Sequence, residues 1–286
     1  MDDAPPPDIH LSQSLAVLRQ CITTLDTAAA RAPTVAHALQ ETVGALRGVE
    51  EALHQHRDAL RQAHHFATLG RLAAGLSHEI RNPLGILFLH MDLLEEEFRH
   101  PSVESSRLIP QTFHEIRTAL ARLDALVQDY LTLARVGAVE PSVQDLGTAL
   151  QEWTGEVQGL AAQQGVSIQL AGLETVGELA FHASTLRRAV LNVVQNALEA
   201  MPYGGTLILE GVRNATAVQL RVGDSGTGIP AERVTRIFEP LYTTKPGGTG
   251  MGLYIVQETL IAHGGVVTVE SVEGQGSTFT FLLPAP

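Results

Sequence analysis

The sequence predicts a multidomain chain, helical in its first half and α/β in its second. Apolar residues recur at three-, four- and seven-residue spacings up to about residue 136. One short connection, His100-Pro101-Ser102, separates the two longest helical patterns. From about residue 145 short β-rich runs alternate with helical stretches, and glycine becomes frequent. The chain therefore divides into a helical or coiled-coil segment over 1–65, a dimeric antiparallel helical hairpin forming a four-helix bundle over 66–140, and an α/β sandwich over 145–286, with the boundary near Gly137–Asp145.

Leu11, Leu15, Leu18, Ile22 and Leu25 form a helical seam over 8–31 that Ala32-Pro33 interrupts. Leu39, Leu46, Leu53 and Leu60 then stand seven apart with Val49 between them. That heptad stripe suits paired helices, and a monomeric helical hairpin would bury the same face. Helical patterns follow over about 66–98 and 104–136, and Pro101 stops the first. So short a connection makes the two helices antiparallel. With one apolar stripe on each helix, pairing two hairpins buries both stripes, and a homodimer is expected. Beyond the boundary, strands are expected at Ser167–Leu170, Thr206–Val212, Ala217–Val222, Val266–Val272 and Thr278–Leu283, with helices at 182–200 and 251–263. These elements form a sandwich, sheet on one side and helices on the other.

Composition narrows the function classes. With 286 residues, 44% hydrophobic and 17% charged, the chain is globular and sufficient for about two domains. A formal charge of −12 argues against a general nucleic-acid binder, yet one local site can still hold a nucleotide. Cys21 is the only cysteine, which excludes an intramolecular disulfide and a Cys-based zinc site and fits a reducing cytoplasm. His54/His56 and His64/His65 have no partner ligands at metal-binding spacing. Met1–Pro7 is acidic and proline-rich, unlike a signal peptide. The most apolar long run, Leu84–Leu94, is too short to span a bilayer, so a cytoplasmic chain without a membrane span is expected.

The segment Leu69–Leu84 reads LGRLAAGLSHEIRNPL. Near neutral pH His78 offers an unprotonated nitrogen, a competent nucleophile for a phosphoryl group. Attack leaves positive charge on the ring, which Glu79 can stabilise by holding the other ring N–H. Asn82 lies four residues on, one turn away on the same face. Pro83 removes the hydrogen bond to the Glu79 carbonyl and should kink or loosen the helix beside the nucleophile. Taken alone, His78 is one of 12 histidines and a polar residue on an amphipathic helix. Ser77-His78-Glu79-Ile80-Arg81-Asn82-Pro83-Leu84, however, resembles throughout the phosphoacceptor box of sensor histidine kinases, in the nitrogen-regulation-type variety that ends in Asn-Pro-Leu. The resemblance implies that His78 accepts the phosphoryl group and that Asn82 orients a water for hydrolysis of an acyl phosphate.

Four further segments resemble, in order, the N, G1, F and G2 boxes of the kinase ATP-binding (Bergerat) domain, a fold shared with Hsp90, MutL and type II topoisomerases. In Leu191-Asn192-Val193-Val194-Gln195-Asn196-Ala197 the two Asn are four apart on one helix face. Mg²⁺ takes hard oxygen ligands, and the resemblance assigns the metal to Asn196 and places Asn192 by the phosphates. Asp224-Ser225-Gly226-Thr227-Gly228-Ile229-Pro230 follows a strand; alone it is equally a tight turn. The resemblance puts Asp224 on the adenine amino group, and Gly226 and Gly228 allow close backbone approach to the base. Ile237-Phe238-Glu239-Pro240 precedes Tyr242-Thr243-Thr244-Lys245-Pro246 and then Gly247-Gly248-Thr249-Gly250-Met251-Gly252-Leu253. Glycines leading into a helix expose N–H groups at its positive end, an anion site for a triphosphate, and Lys245 adds a point charge near the γ-phosphate. Residues 242–250 are expected to close over ATP as a lid. Leu241 stands where many members carry a second Phe. Ser277-Thr278 resembles the final strand position that contacts the adenine region.

The resemblance covers about residues 66–286 and implies autophosphorylation of His78 from Mg-ATP, then transfer to an aspartate of a response-regulator receiver domain, together with phosphatase activity toward that regulator. ATP and Mg²⁺ are the cofactors it implies; a receiver domain and a second copy of the chain are the partners. An upstream sensor protein is expected to act through residues 1–65, the heptad passing a helix rotation or shift toward His78. Two rivals stand beside this reading. An Hsp90-like ATPase uses a glutamate at the position of Asn192, and Asn is no base. An ATP-binding signalling scaffold or phosphatase without significant kinase activity differs only in what it labels.

Overall fold

The computed structural model describes residues 19–20, 23–24, 36–100, 105–136, 141–245 and 247–285, with the backbone alone at 36–42, 50, 53–69, 71–76 and 106. The seam expected over 8–31 and its break at Ala32-Pro33 lie almost wholly outside the described residues, as do the side chains of Leu39, Leu53, Leu60 and the paired histidines. Two compact units result, Met1–Ala67 and Thr68–Pro286. Helix α1, Ala36–Arg99, contributes to both and carries the heptad positions as helix. Among the described residues no helix is long and apolar enough to cross a membrane.

In the second unit, α1 is followed by α2, Ser105–Arg135. Glu97 meets Ser105, and Arg122 donates to Glu79 at 3.1 Å. An earlier residue of α1 thus meets a later one of α2, the antiparallel register expected. On α2, Thr112, Ala119, Leu126 and Leu133 repeat every seven residues and are buried. Phe113, Leu120 and Val127 repeat at the same interval and are exposed. On α1, Leu84, Phe88, Met91 and Phe98 are exposed as well. The expectation of one apolar stripe per helix was too small for α2, which carries two: one is spent inside the chain and one faces outward.

The C-terminal part is a five-stranded sheet of order β2-β4-β5-β7-β6, formed by β2 (Val166–Ala171), β4 (Gly205–Arg213), β5 (Ala217–Asp224), β6 (Val266–Val272) and β7 (Gly276–Pro284). Only the β2–β4 pair is parallel. Alternation sets its faces. Leu207, Leu209, Val218, Leu220, Val222, Phe279, Phe281 and Leu283 point into the core, while Ile208, Val212 and Leu282 stay exposed on the other side. Helices α3 (Leu146–Gln163), α4 (Ala183–Glu199) and α6 (Gly252–Ala262) supply the other half of that core. A short α5 (Ala231–Val234) lies between β5 and α6.

Helix α3 and a two-stranded ribbon of β1 (Ser142–Asp145) and β3 (Glu178–Phe181) escape the sequence reading. Gly147, Gly155 and Gly159 dilute the helical pattern of α3, and four-residue strands are too short for a period. Tertiary contacts and an Asp145 cap, which accepts from the Thr148 N–H at 2.6 Å, fix that helix instead.

Candidate nucleotide site and phosphoacceptor

Helix α4 has a clean division of faces. Leu186, Ala189, Val190, Val193, Val194, Ala197 and Leu198 are buried against the sheet. Arg188, Asn192, Asn196 and Glu199 follow one another at steps of four, four and three along the opposite stripe. Each meets a group from elsewhere. Arg188 donates to Asp129 Oδ1 of α2 at 2.8 Å. Asn192 donates through Nδ2 to the Gly252 carbonyl at 3.1 Å, joining α4 to the start of α6. Asn196 Oδ1 accepts from Lys245 Nζ at 2.6 Å, and the same ammonium is paired with Glu199 Oε2.

The loop from 242 to 251 is shaped by backbone constraints. Leu241 is the one non-glycine residue with positive φ among those described, at 64°. Gly250 (φ 68°) lies so close that a Cβ there would come 2.4 Å from the Leu241 carbonyl carbon. Only glycine fits. Gly248 N–H donates to the Lys245 carbonyl at 3.2 Å, and Lys245 N–H to Thr243 Oγ1 at 3.1 Å. Thr249 Oγ1 donates to Asp129 Oδ2 at 2.7 Å, while Met251, Tyr254 and Ile255 pack with Leu133 of α2 and with Leu241. Helix α6 begins after Met251 without a side-chain cap, and Leu253 packs at the edge of the core. Phe238 is anchored edge-on to Phe279, with ring centroids 6.5 Å apart.

Asp224 ends β5, opposite Ser277 of β7. Burial pushes its carboxyl above the usual range, against the pull of the Gly226 N–H at 2.8 Å and the Ser277 backbone. A Cβ on Gly226 would press within 2.6 Å of the Ala200 carbonyl at the end of α4, and one on Gly228 (φ 65°) within 2.1 Å of the Val272 carbonyl. The close approach these glycines permit is first of all to the protein's own backbone. Thr278 lies one residue beyond Ser277, paired with Gly223 beside Asp224.

On α1, His78 and Asn82 are exposed and share a face, Glu79 is partly buried, and Pro83 is buried within the helix. Glu79 is held by Arg122 of α2.

Residues 68–139 match the family model of the "His Kinase A (phospho-acceptor) domain", and residues 182–286 match "Histidine kinase-, DNA gyrase B-, and HSP90-like ATPase". The chain is 31% identical over 228 residues to the sensor histidine kinase ZraS of Escherichia coli K12, covering 80% of this chain and 48% of that protein. Sporulation kinase E of Bacillus subtilis is 29% identical over 228 residues, with 79% and 30% covered. The chain belongs to the sensor histidine kinase family. It spans about half the length of ZraS and less of sporulation kinase E. Among solved structures, full-length ShkA in complex with AMPPNP aligns with a TM-score of 0.52 at 29% identity, covering 75% of this chain and 45% of ShkA. Histidine kinase ThkA in complex with response regulator protein TrrA shares the fold at a TM-score of 0.64 and 23% identity, with 82% and 67% covered.

The donor set of this kinase-family site suits a magnesium nucleotide. Asn196 already turns its amide oxygen to a cation, the Lys245 ammonium. Among the described residues no group of three or more His, Cys, Asp or Glu could hold a metal on its own. A hard cation held partly by substrate phosphates needs no such cage. Sequence reasoning missed Glu199, Arg188, Asp129 and Arg122. The spacing of Glu199 from Asn196, three residues along a helix, was the only local signal available; the others are brought in by the fold.

Proposed function

We propose that the chain autophosphorylates His78 from Mg-ATP and passes the phosphoryl group to an aspartate of a response-regulator receiver domain, which it also dephosphorylates. The observation that carries this reading is an exposed His78, flanked by Glu79, on the same compact unit as the α4 amides and the 242–251 loop. ATP sits between α4 and that loop, with the adenine amino group on Asp224 and the phosphates along Gly248–Leu253. Asn196 holds the magnesium, which neutralises charge on the triphosphate. Little covalent help is needed: this chain's residues position the γ-phosphoryl in line with the ring, and Glu79 holds the ring proton on the other nitrogen. Asn82, one turn from His78, orients the water that hydrolyses the regulator's acyl phosphate.

A homodimer completes the bundle. Phe113, Leu120 and Val127 of α2 with Leu84, Phe88, Met91 and Phe98 of α1 form exposed seams that a second hairpin would bury. Residues 1–65 act as the input segment, open to an upstream sensor protein, 66–140 as the phosphotransfer domain and 145–286 as the catalytic domain.

The Hsp90-like ATPase reading is disfavoured by Asn192, an amide that donates to the Gly252 carbonyl and has no basic function. Incubation with γ-labelled ATP tests the proposal. Acid-labile, alkali-stable label on the wild type and none on His78→Gln is expected. Steady phosphate release without protein label would establish the ATPase, and nucleotide binding with neither would leave the scaffold.

A further inference from the structure

We propose that Glu199 is a second protein oxygen of the divalent-cation site, and that Glu199 and Asn196 exchange the Lys245 ammonium for the metal that arrives with the nucleotide. The inference rests on the reading of this site as a magnesium nucleotide site.

The two oxygens converge on one point. Asn196 and Glu199 are three residues apart on α4 and share a face. Asn196 Oδ1 lies 2.6 Å from Lys245 Nζ, and Glu199 Oε2 pairs with the same nitrogen. A neutral amide oxygen adds no charge to a metal site. Magnesium in phosphate-transfer sites is ordinarily held through one or two carboxylates together with substrate phosphates, keeping several waters. Glu199 is the carboxylate that reaches the point Asn196 already addresses. Its other oxygen, Oε1, is met by Gln195 Nε2 at 3.5 Å, a long contact that leaves the carboxylate free to turn.

Lys245 suits the other half of the exchange. Its ammonium is a compact charge on a flexible stem, and it belongs to the loop that leads into the glycine run. The Lys245–Glu199 pair is exposed, so little stability is lost on opening it. Leaving Glu199, the ammonium keeps a negative partner by moving onto a phosphate oxygen, so neither the carboxylate nor the ammonium is stranded.

The rival is that Glu199 merely parks Lys245 and never touches the metal. Titration separates the two. Mn²⁺ is added to the full chain with saturating AMPPNP, and free Mn²⁺ is read by electron paramagnetic resonance; AMPPNP affinity is measured in parallel by calorimetry with EDTA present. Glu199→Gln should loosen Mn²⁺ about tenfold, with Glu199→Asp recovering part of the loss. AMPPNP affinity in EDTA should be as tight as in wild type or tighter, because a negative charge near the triphosphate is gone. Wild-type Mn²⁺ affinity in Glu199→Gln would overturn the proposal and leave the nucleotide reading intact. A wild-type chain that binds no AMPPNP under either condition would overturn the nucleotide reading itself.

Discussion

Thr249 Oγ1 donates to Asp129 Oδ2 at 2.7 Å, linking the glycine-rich loop to a hairpin helix 120 residues earlier in the chain. The carboxylate is buried, and its other oxygen takes Arg188 of α4 at 2.8 Å. One side chain of α2 thus holds two parts of the proposed nucleotide site at once. Charge-assisted hydrogen bonds of this kind contribute about 1.5–3 kcal/mol each. Asp129→Ala should therefore release the loop: amide exchange over 241–251 should quicken about tenfold or more. Labelling of His78 by γ-labelled ATP should start faster, because the loop no longer has to leave Asp129 before it closes over ATP as a lid. Slower exchange or slower labelling would show that the contact assists the reaction instead of restraining it.

Asp224 makes a prediction about pH. Its carboxyl is raised by burial, so the folded chain takes up a proton before the unfolded chain does as pH falls. Its contribution to stability is full below the ordinary carboxylate range and is lost as pH rises through the raised value. Asp224→Asn, which mimics the protonated form, should melt above the wild type at neutral pH. The gap should close as the pH is lowered toward about 4. Thermal melts of both proteins across that range decide it; a wild type that melts higher at neutral pH contradicts the sign.

Where sequence reasoning worked, the information was local. The alternation of Val218, Leu220 and Val222 with Gln219 and Arg221, and of Phe279 and Phe281 about Thr280, is a period-2 signal that any reader can place on a strand. The His78 box and the glycine run are contiguous too, so their residues arrive together. The contacts around Asp129 are different: Arg188 lies 59 residues away and Thr249 120. Nothing near Asp129 in the chain distinguishes it from a surface acid of an amphipathic helix. The glycines were legible as glycines, but their neighbours within the protein were not. Gly226 and Gly228 are required by Ala200 and Val272, which only the folded sheet and helix bring close.

Gly250 and Gly247 both have positive φ, at 68° and 79°, yet their surroundings differ. A Cβ at 247 enters open space, whereas at 250 it meets three Leu241 backbone atoms between 2.4 and 2.8 Å away. Gly247→Ala therefore carries only the left-handed strain of roughly 1–2 kcal/mol. Gly250→Ala must also displace Leu241, itself held at φ 64°. Calorimetric titration should find AMPPNP binding weakened at least about tenfold more by Gly250→Ala than by Gly247→Ala. Equal losses would mean that the Leu241 contact is irrelevant to the shape of the loop.

Glu79 and Arg122 join the two helices of the hairpin across a partly buried ion pair of 3.1 Å. Glu79 follows His78 in the chain, so it has two partners to serve: the guanidinium that positions its carboxylate and the imidazole it is proposed to assist. Glu79→Gln keeps the size and one hydrogen-bond acceptor while removing the charge that stabilises a protonated ring. Loss of a general base ordinarily lowers a rate by about 10²–10⁴-fold. The initial rate of His78 labelling should fall within that range, while AMPPNP affinity, measured on the same preparation, stays at the wild-type value because the proposed nucleotide contacts lie on other elements. Arg122→Gln should act more gently, since it leaves the carboxylate in place and removes only what orients it. A parallel loss of labelling and AMPPNP affinity in Glu79→Gln would assign the pair to holding the hairpin in shape and not to the chemistry at His78.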